Sequence, residues 1–220
     1  LSEHTVEVLK NFATINQNLV IKEGNTLTTM SAMKNIVAKA EVSESFEREV
    51  AIYDLNEFLA SLSLFKSPVL EFDESFVTIK EENTTTSLKY FYSDPSVVTT
   101  PSKTIKMPSK EVTFSLKGED LTKLKRAAGV IGAPDLVLER KDTGSFLTVK
   151  DKKNDTANTF SLDVTTTSEG NFNCFFTVEN LKVMDGNYDV EISSKNISHL
   201  SSSNKDVEYW VALEPESTYE

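Results

Sequence analysis

Three times along this chain an acidic or amide residue at the end of a strand-like stretch is followed by Leu-x-x-apolar: Asp54-Leu55-x-x-Phe58, Asp120-Leu121-x-x-Leu124 and Asn180-Leu181-x-x-Met184. A side chain that can accept from free backbone N–H groups, followed by apolar residues three apart, marks a helix that starts straight off a strand. A strand-to-helix unit that recurs in this way restricts the chain to folds built from copies of one supersecondary element. Apolar periodicity then predicts four helices. Residues 4–16 turn Val6, Leu9, Phe12 and Ala13 inward and Lys10, Asn11 and Thr14 outward, and residues 55–65 bury Leu55, Phe58, Leu59 and Leu62. Residues 119–131 bury Leu121, Leu124 and Ala128 and put Thr122, Lys125, Arg126 and Gly129 on the opposite face, while residues 178–184 bury Leu181 and Met184 with Lys182 outward.

Between the helices lie short stretches of alternating or β-branched residues, which predict strands at 19–22, 35–42, 49–53, 69–80 and 87–92 in the first half. The second half repeats them at 112–116, 136–140, 146–150, 159–165, 172–177, 188–193 and 208–213, with polar loops at 81–86, 151–158 and 201–206. Residues 93–110 contain Pro95, Pro101 and Pro108 among Ser, Thr and Lys, the composition of a connector. Two similar domains, 1–105 and 106–220, follow from that division.

Charge is the second constraint. The formal net charge is −11, yet the segment 119–131 carries Lys123, Lys125 and Arg126 with no acid beside them, because Glu119 and Asp120 fall in the first turn as caps. The single cysteine, Cys174, lies in an apolar run and argues against disulfides and thiolate metal sites. No apolar stretch is long enough for a membrane helix, and residues 1–10 lack the blocks of a signal peptide. His4 and His199, in an N-terminal segment and a loop, have no ligand-spaced partner, and the seven glycines form no phosphate-cradling loop. No catalytic group, cofactor or metal site is expected. A carboxylate-pair glycosidase on a β scaffold stays open by composition, without a constellation that favours it.

Ordered local matches carry a family resemblance. They are residues 10–16 (Lys-Asn-Phe-Ala-Thr-Ile-Asn), 50–56 (Val-Ala-Ile-Tyr-Asp-Leu-Asn) with Phe58-Leu59 and Leu62-Ser63-Leu64, then Asp94-Pro95-Ser96 with Val98, Gly186-Asn187-Tyr188, and Val211-Ala212-Leu213-Glu214 with Ser217-Thr218. In that order they span nearly the whole chain, which resembles the DNA polymerase sliding clamps of large tailed bacteriophages. The resemblance implies an α+β fold of two similar clamp domains, each with two helices packed on antiparallel sheets. It also implies a head-to-tail homotrimeric ring around duplex DNA, held without sequence specificity, with helices lining the hole.

Under that reading Lys10, Lys123, Lys125, Arg126 and Lys182 face the DNA, while the second helix contributes no cation and Glu3, Glu7 and Glu57 weaken the lining. The implied partners are a DNA polymerase and an ATP-driven clamp loader, in the cytoplasm of a bacterial host. A partner tail would dock in a pocket formed by Val97, Val98 and Pro101 of the connector with Tyr209, Trp210 and Val211 of the terminal strand. The resemblance extends to a clamp that assists phage late transcription. The competing reading is a structural or adhesive β-sandwich protein of a virion, which accounts for the Ser- and Thr-rich strands but not for the recurring strand-to-helix unit.

Overall fold

Ser2 opens the first helix, α1 (Glu3–Ile15), because its hydroxyl accepts from the Thr5 backbone N–H at 3.2 Å. Glu44 completes the cap, accepting from the Ser2 backbone N–H and the Thr5 hydroxyl. The computed structural model describes residues 1–101 and 104–219. It divides into two units, Leu1–Lys103 and Thr104–Glu220, and Ser102 and Lys103 of the expected connector lie outside the described residues.

In the first unit α1 is followed by β1 (Leu19–Ile21), β2 (Gly24–Met30), β3 (Ile36–Phe46) and β4 (Val50–Ile52). Then come α2 (Leu55–Leu62), β5 (Pro68–Phe72), β6 (Phe76–Glu81) and β7 (Ser87–Phe91). β1 pairs with β4, β2 with β3, and β5-β6-β7 form an antiparallel sheet. α1 packs on α2 and β3, with Thr5, Val8, Leu9, Phe12 and Ile15 buried. Val6 and Ala13, expected inside, are half-buried instead. The Thr5 bond to Glu44, carried by β3, lets that polar residue lie on the covered face beside Val8, Leu9 and Phe12.

Asp54 caps α2, accepting from the Asn56 and Glu57 N–H groups at 3.0 Å each. Three-residue backbone bonds, Leu64 to Ser61 and Phe65 to Leu62, tighten the chain past Leu62, so α2 stops short of the expected Phe65. The single strand expected over 69–80 is a hairpin. Polar residues 73–75 turn the chain there, with the Asp73 N–H donating to the Phe76 carbonyl at 2.9 Å.

The second unit holds β8 (Val112–Leu116), α3 (Gly118–Ile131), β9 (Asp135–Lys141), β10 (Gly144–Lys150), β11 (Phe160–Val164) and β12 (Phe172–Thr177). After these come β13 (Tyr188–Ser193), β14 (Ile197–Ser202), β15 (Val207–Ala212) and β16 (Thr218–Tyr219). One sheet runs β11-β10-β9-β12-β16, and β15, β14, β13 and β8 lie side by side, all antiparallel. α3 packs over β10 and β11. A run of helix, four strands, a second helical element and three strands therefore occurs in both units, with β8 before it and β16 after it in the second. β2, β14 and β16 are strands that periodicity missed, since their Ser, Thr and Gly content reads as loop until a neighbouring strand supplies hydrogen bonds. His199 accordingly sits on β14 rather than in a loop.

The fourth expected helix is a single 3-10 turn, Val178–Asn180. Side chains from other elements hold the backbone that follows this turn. The Tyr188 hydroxyl donates to the Met184 carbonyl at 2.6 Å, the Met184 N–H donates to the Tyr209 hydroxyl at 3.2 Å, and the Lys125 ammonium donates to the Val183 carbonyl at 3.1 Å. The second unit thus has one α-helix where two were expected.

Partial burial works to raise the Glu44 pKa, but the hydrogen bonds from Thr5 and Ser2 outweigh it and hold the carboxyl below its ordinary value of 4.5. A lowered carboxyl contributes stability above its unfolded pKa and loses it as pH falls through the folded one. Glu44→Gln is expected to cost about 1 kcal/mol at neutral pH, given the half-exposed site. The gap between its unfolding curve and that of the parent should close as the pH is taken below 4.5.

Candidate nucleic-acid interface

The rotation of α3 is set by Leu121, Leu124 and Ala128, all buried. Its start is fixed from outside the helix: no side chain caps it locally, and the Gly118 N–H donates to the Asn187 carboxamide oxygen at 2.8 Å. Glu119 and Asp120 lie in the first turn without making the cap that the sequence suggested, since Asn187 takes that place. The backbone approach there is close, because a Cβ on Gly118 would stand 3.0 Å from the Gly186 carbonyl carbon. Gly132, left-handed at φ 67°, ends the helix.

Arg126 and Lys123 project from the exposed side of α3. Lys123 stands 3.8 Å from the Asp120 carboxylate, so one acid does neighbour the basic face, one turn back along the helix. With the Lys123 side chain mostly in solvent, that pair holds it loosely. Lys125 is placed differently. Its stem lies in an apolar cleft with Leu121, Leu124, Leu136, Val149, Val178 and Leu181, and its ammonium bonds the Val183 carbonyl. Desolvation lowers its pKa, and the Asp185 charge works against that shift. Lys182, half-buried, lies in the segment that Lys125 holds.

In the first unit Lys10 is exposed on α1 and shares its face with Glu3, Glu7 and Thr14 at helical spacing, all exposed. The exposed residues of α2 are Asn56, Glu57 and Ala60. Of the three α-helices, α3 therefore presents the most exposed cations.

Of the residues suggested for a partner pocket, Val97 is 58% exposed and Pro101 half-buried, whereas Val98 is buried with Val20 and Ala51. Tyr209 and Val211 are fully buried, Tyr209 with its ring 6.1 Å from that of Tyr188. Trp210 is 8% exposed and stacks on His199 with ring centroids 4.9 Å apart. His199 in turn bonds Glu208 at 2.8 Å through Nε2. Periodicity gave no sign of this cluster; the cross-strand pairing of β14 with β15 creates it.

Burial pushes the Cys174 thiol up to about 12, with a Tyr219 hydrogen bond opposing, which leaves it without nucleophilic character. Among the described residues no three His, Cys, Asp or Glu side chains are placed to hold a metal ion. No helix among them is long and apolar enough to cross a membrane.

Residues 2–100 match the family described as DNA polymerase processivity factor, and residues 113–215 match the family described as gp45 sliding clamp, C terminal. The chain belongs to the sliding-clamp family of polymerase processivity factors. It is 33% identical to the sliding clamp of Vibrio phage KVP40 over 220 residues, covering 97% of this chain and 98% of that one. It is 30% identical to the sliding clamp of Enterobacteria phage T4 over 225 residues, covering 100% and 99%. Among solved structures, the PCNA of A. fulgidus bound to the C-terminal region of FEN-1 superposes with a TM-score of 0.70 at 15% identity, covering 97% and 96%. The PCNA of Thermococcus kodakaraensis also gives 0.70, at 16% identity and 96% coverage of each chain. At that identity the likeness establishes the fold: a two-domain α+β clamp. Family membership also sets aside the virion sandwich and the glycosidase, since a processivity factor acts without catalysis.

The clamp chain's close contact at the start of α3 is testable. Gly118→Ala should lower stability by about 1–2 kcal/mol in denaturant unfolding, because the Gly186 backbone must give way. Gly129→Ala, in open space on the same helix, should not destabilise it.

Proposed function

We propose that this sliding clamp closes as a homotrimeric ring around duplex DNA and tethers the replicative polymerase, after loading by an ATP-driven clamp loader. The observation that carries the reading is the exposed Arg126 and Lys123 on α3 of a chain whose net charge is −11. Screening acts over about 8 Å at physiological salt, so a duplex beside α3 responds to that face and not to acids farther off. Contacts from lysine and arginine to phosphate carry no sequence information and break easily, as sliding requires. Lys123 and Arg126 are the main contacts, with Lys182 and Lys10 contributing less.

A head-to-tail ring needs two different, complementary surfaces on one chain. β7 pairs with β6 alone and β11 with β10 alone among the described residues, so each leaves a free edge in its unit. Phe91 on β7 is 66% exposed, and an open groove beside β11 is lined by Leu147, Leu162 and Val164. Exposed apolar side chains on a free edge favour pairing with another chain. Lys89 on β7 and Asp163 on β11 add opposite charges, and we take β7 of one copy to meet β11 of the next. Partner tails, the polymerase's included, would use the exposed Val97 with Pro101, since Tyr209 and Val211 lie inside the core. The ring works in the cytoplasm of the bacterial host, and the same DNA-held ring serves late transcription.

Topology provides the decisive experiment. Loaded clamp should stay on closed circular duplex through gel filtration and leave when the circle is cut; equal loss from cut and uncut circles would refute encirclement. Phe91→Glu should sediment as a monomer of unchanged circular dichroism. For direct binding, Arg126→Gln should flatten the plot of log K against log salt by about 0.9 for each phosphate contact removed.

A further inference from the structure

We propose that Lys125 is a positioning residue: it fastens residues 181–184 to α3, and so places the segment that carries Lys182 without itself touching phosphate. The proposal deepens the DNA-lining reading and rests on it for its DNA arm alone. Helix geometry comes first. At about 100° per residue, Lys125 follows Leu121 by four positions and precedes Ala128 by three, which puts it on the border of the buried stripe. Arg126, one step on, points away from that stripe and is exposed.

The surroundings of the Lys125 side chain agree with its place on the helix. Its side chain lines the apolar cleft between α3 and the 3-10 turn together with Leu121, Leu124, Val178 and Leu181, and the ammonium ends 3.1 Å from the Val183 carbonyl. An ammonium drawn into such a cleft gives up hydration, and its pKa is lowered accordingly. Reaching a phosphate would break the Val183 bond and expose the cleft, a cost that Lys123 and Arg126 do not bear.

The segment needs this support because it is not a helix. After the 3-10 turn its backbone groups have side-chain partners: Tyr188 and Tyr209 hold Met184 from the core, and Lys125 holds Val183 from α3. The two tyrosines are fully buried and sit on β13 and β15, so they tie the segment to the sheet. Lys125 alone among these three ties it to the helix that presents Arg126. The cation thus fixes the spacing between two parts of one basic surface.

Lys125→Met keeps an unbranched apolar stem for the cleft and removes the donor. Amide exchange at residues 181–184 should speed up severalfold in that variant, while exchange in β9 and β10 stays unchanged. The slope of log K against log salt for linear duplex should flatten by no more than Lys182→Gln alone flattens it, and by less than Arg126→Gln does. Lys182→Gln, which flattens the slope in the parent background, should flatten it less in the Lys125→Met background, since the segment is no longer held in place. A purely structural role would lower stability without that coupling. A slope that falls for Lys125→Met as it does for Arg126→Gln, or unchanged exchange at 181–184, would overturn the proposal. If neither Arg126→Gln nor Lys182→Gln moves the slope, the DNA-lining reading fails, and the exchange measurement still decides whether Lys125 fastens the segment.

Discussion

Burial of one apolar stripe on each helix decides which charges this protein shows. A fully buried Leu contributes about 1.5–3 kcal/mol, whereas an exposed ion pair contributes at most about 1. Leu121 and Leu124 together therefore fix the rotation of α3, and no arrangement of its surface charges could turn it. The outer face follows from that rotation: Lys123 and Arg126 in solvent, Lys125 at the border. On α1 the same logic leaves Glu3, Glu7, Lys10 and Thr14 outside. Selection acting on such a protein can alter the outer residues freely, but only within the positions that packing leaves available.

Net charge and local charge answer to different distances. The whole chain is strongly acidic, which disfavours binding of stray nucleic acid to most of its surface. Along α3 itself the balance is reversed, with Lys123, Lys125 and Arg126 against Glu119 and Asp120, and Asp120 stands 3.8 Å from Lys123. That pair costs little in affinity, because both groups remain hydrated and phosphate can compete for the lysine. It does moderate the field, and a moderated field suits the proposed role of this surface, which would release each phosphate as readily as it takes it.

Strand-to-helix junctions were legible because they are local: Asp54 caps α2 as its sequence implied, and the apolar spacing of α3 placed its buried stripe. Most strands were legible for the same reason. What escaped was set by partners far along the chain. β14 reads as a polar loop until β13 and β15 flank it, and the α3 cap comes from Asn187 rather than from Asp120. Asn180-Leu181-x-x-Met184 has the spacing of a helix, yet Tyr188, Tyr209 and Lys125 take its backbone groups, and tertiary hydrogen bonds win over a short segment that could form barely two turns. Lys125 stands apart from Arg126 at the site for a reason that helix geometry carries: four positions after Leu121, it lies beside the buried stripe, and its ammonium reaches the Val183 carbonyl.

The two units share a common run of elements but present unlike surfaces, and this difference bears on how the proposed ring would hold its duplex. The first unit offers two helices with Lys10 among acids; the second offers one helix bearing Lys123 and Arg126, and a strapped segment bearing Lys182. Three copies would then carry three strongly basic helices and three more weakly basic units. A duplex is attracted at each basic helix with an energy that depends on how many phosphates are neutralised at once. Fewer such helices mean fewer contacts to break in one step along the duplex axis, so mobility rises as attraction falls. Encirclement removes the usual penalty for that exchange, because a closed ring stays on the DNA through topology rather than affinity. A clamp can therefore be acidic nearly everywhere and still do its work.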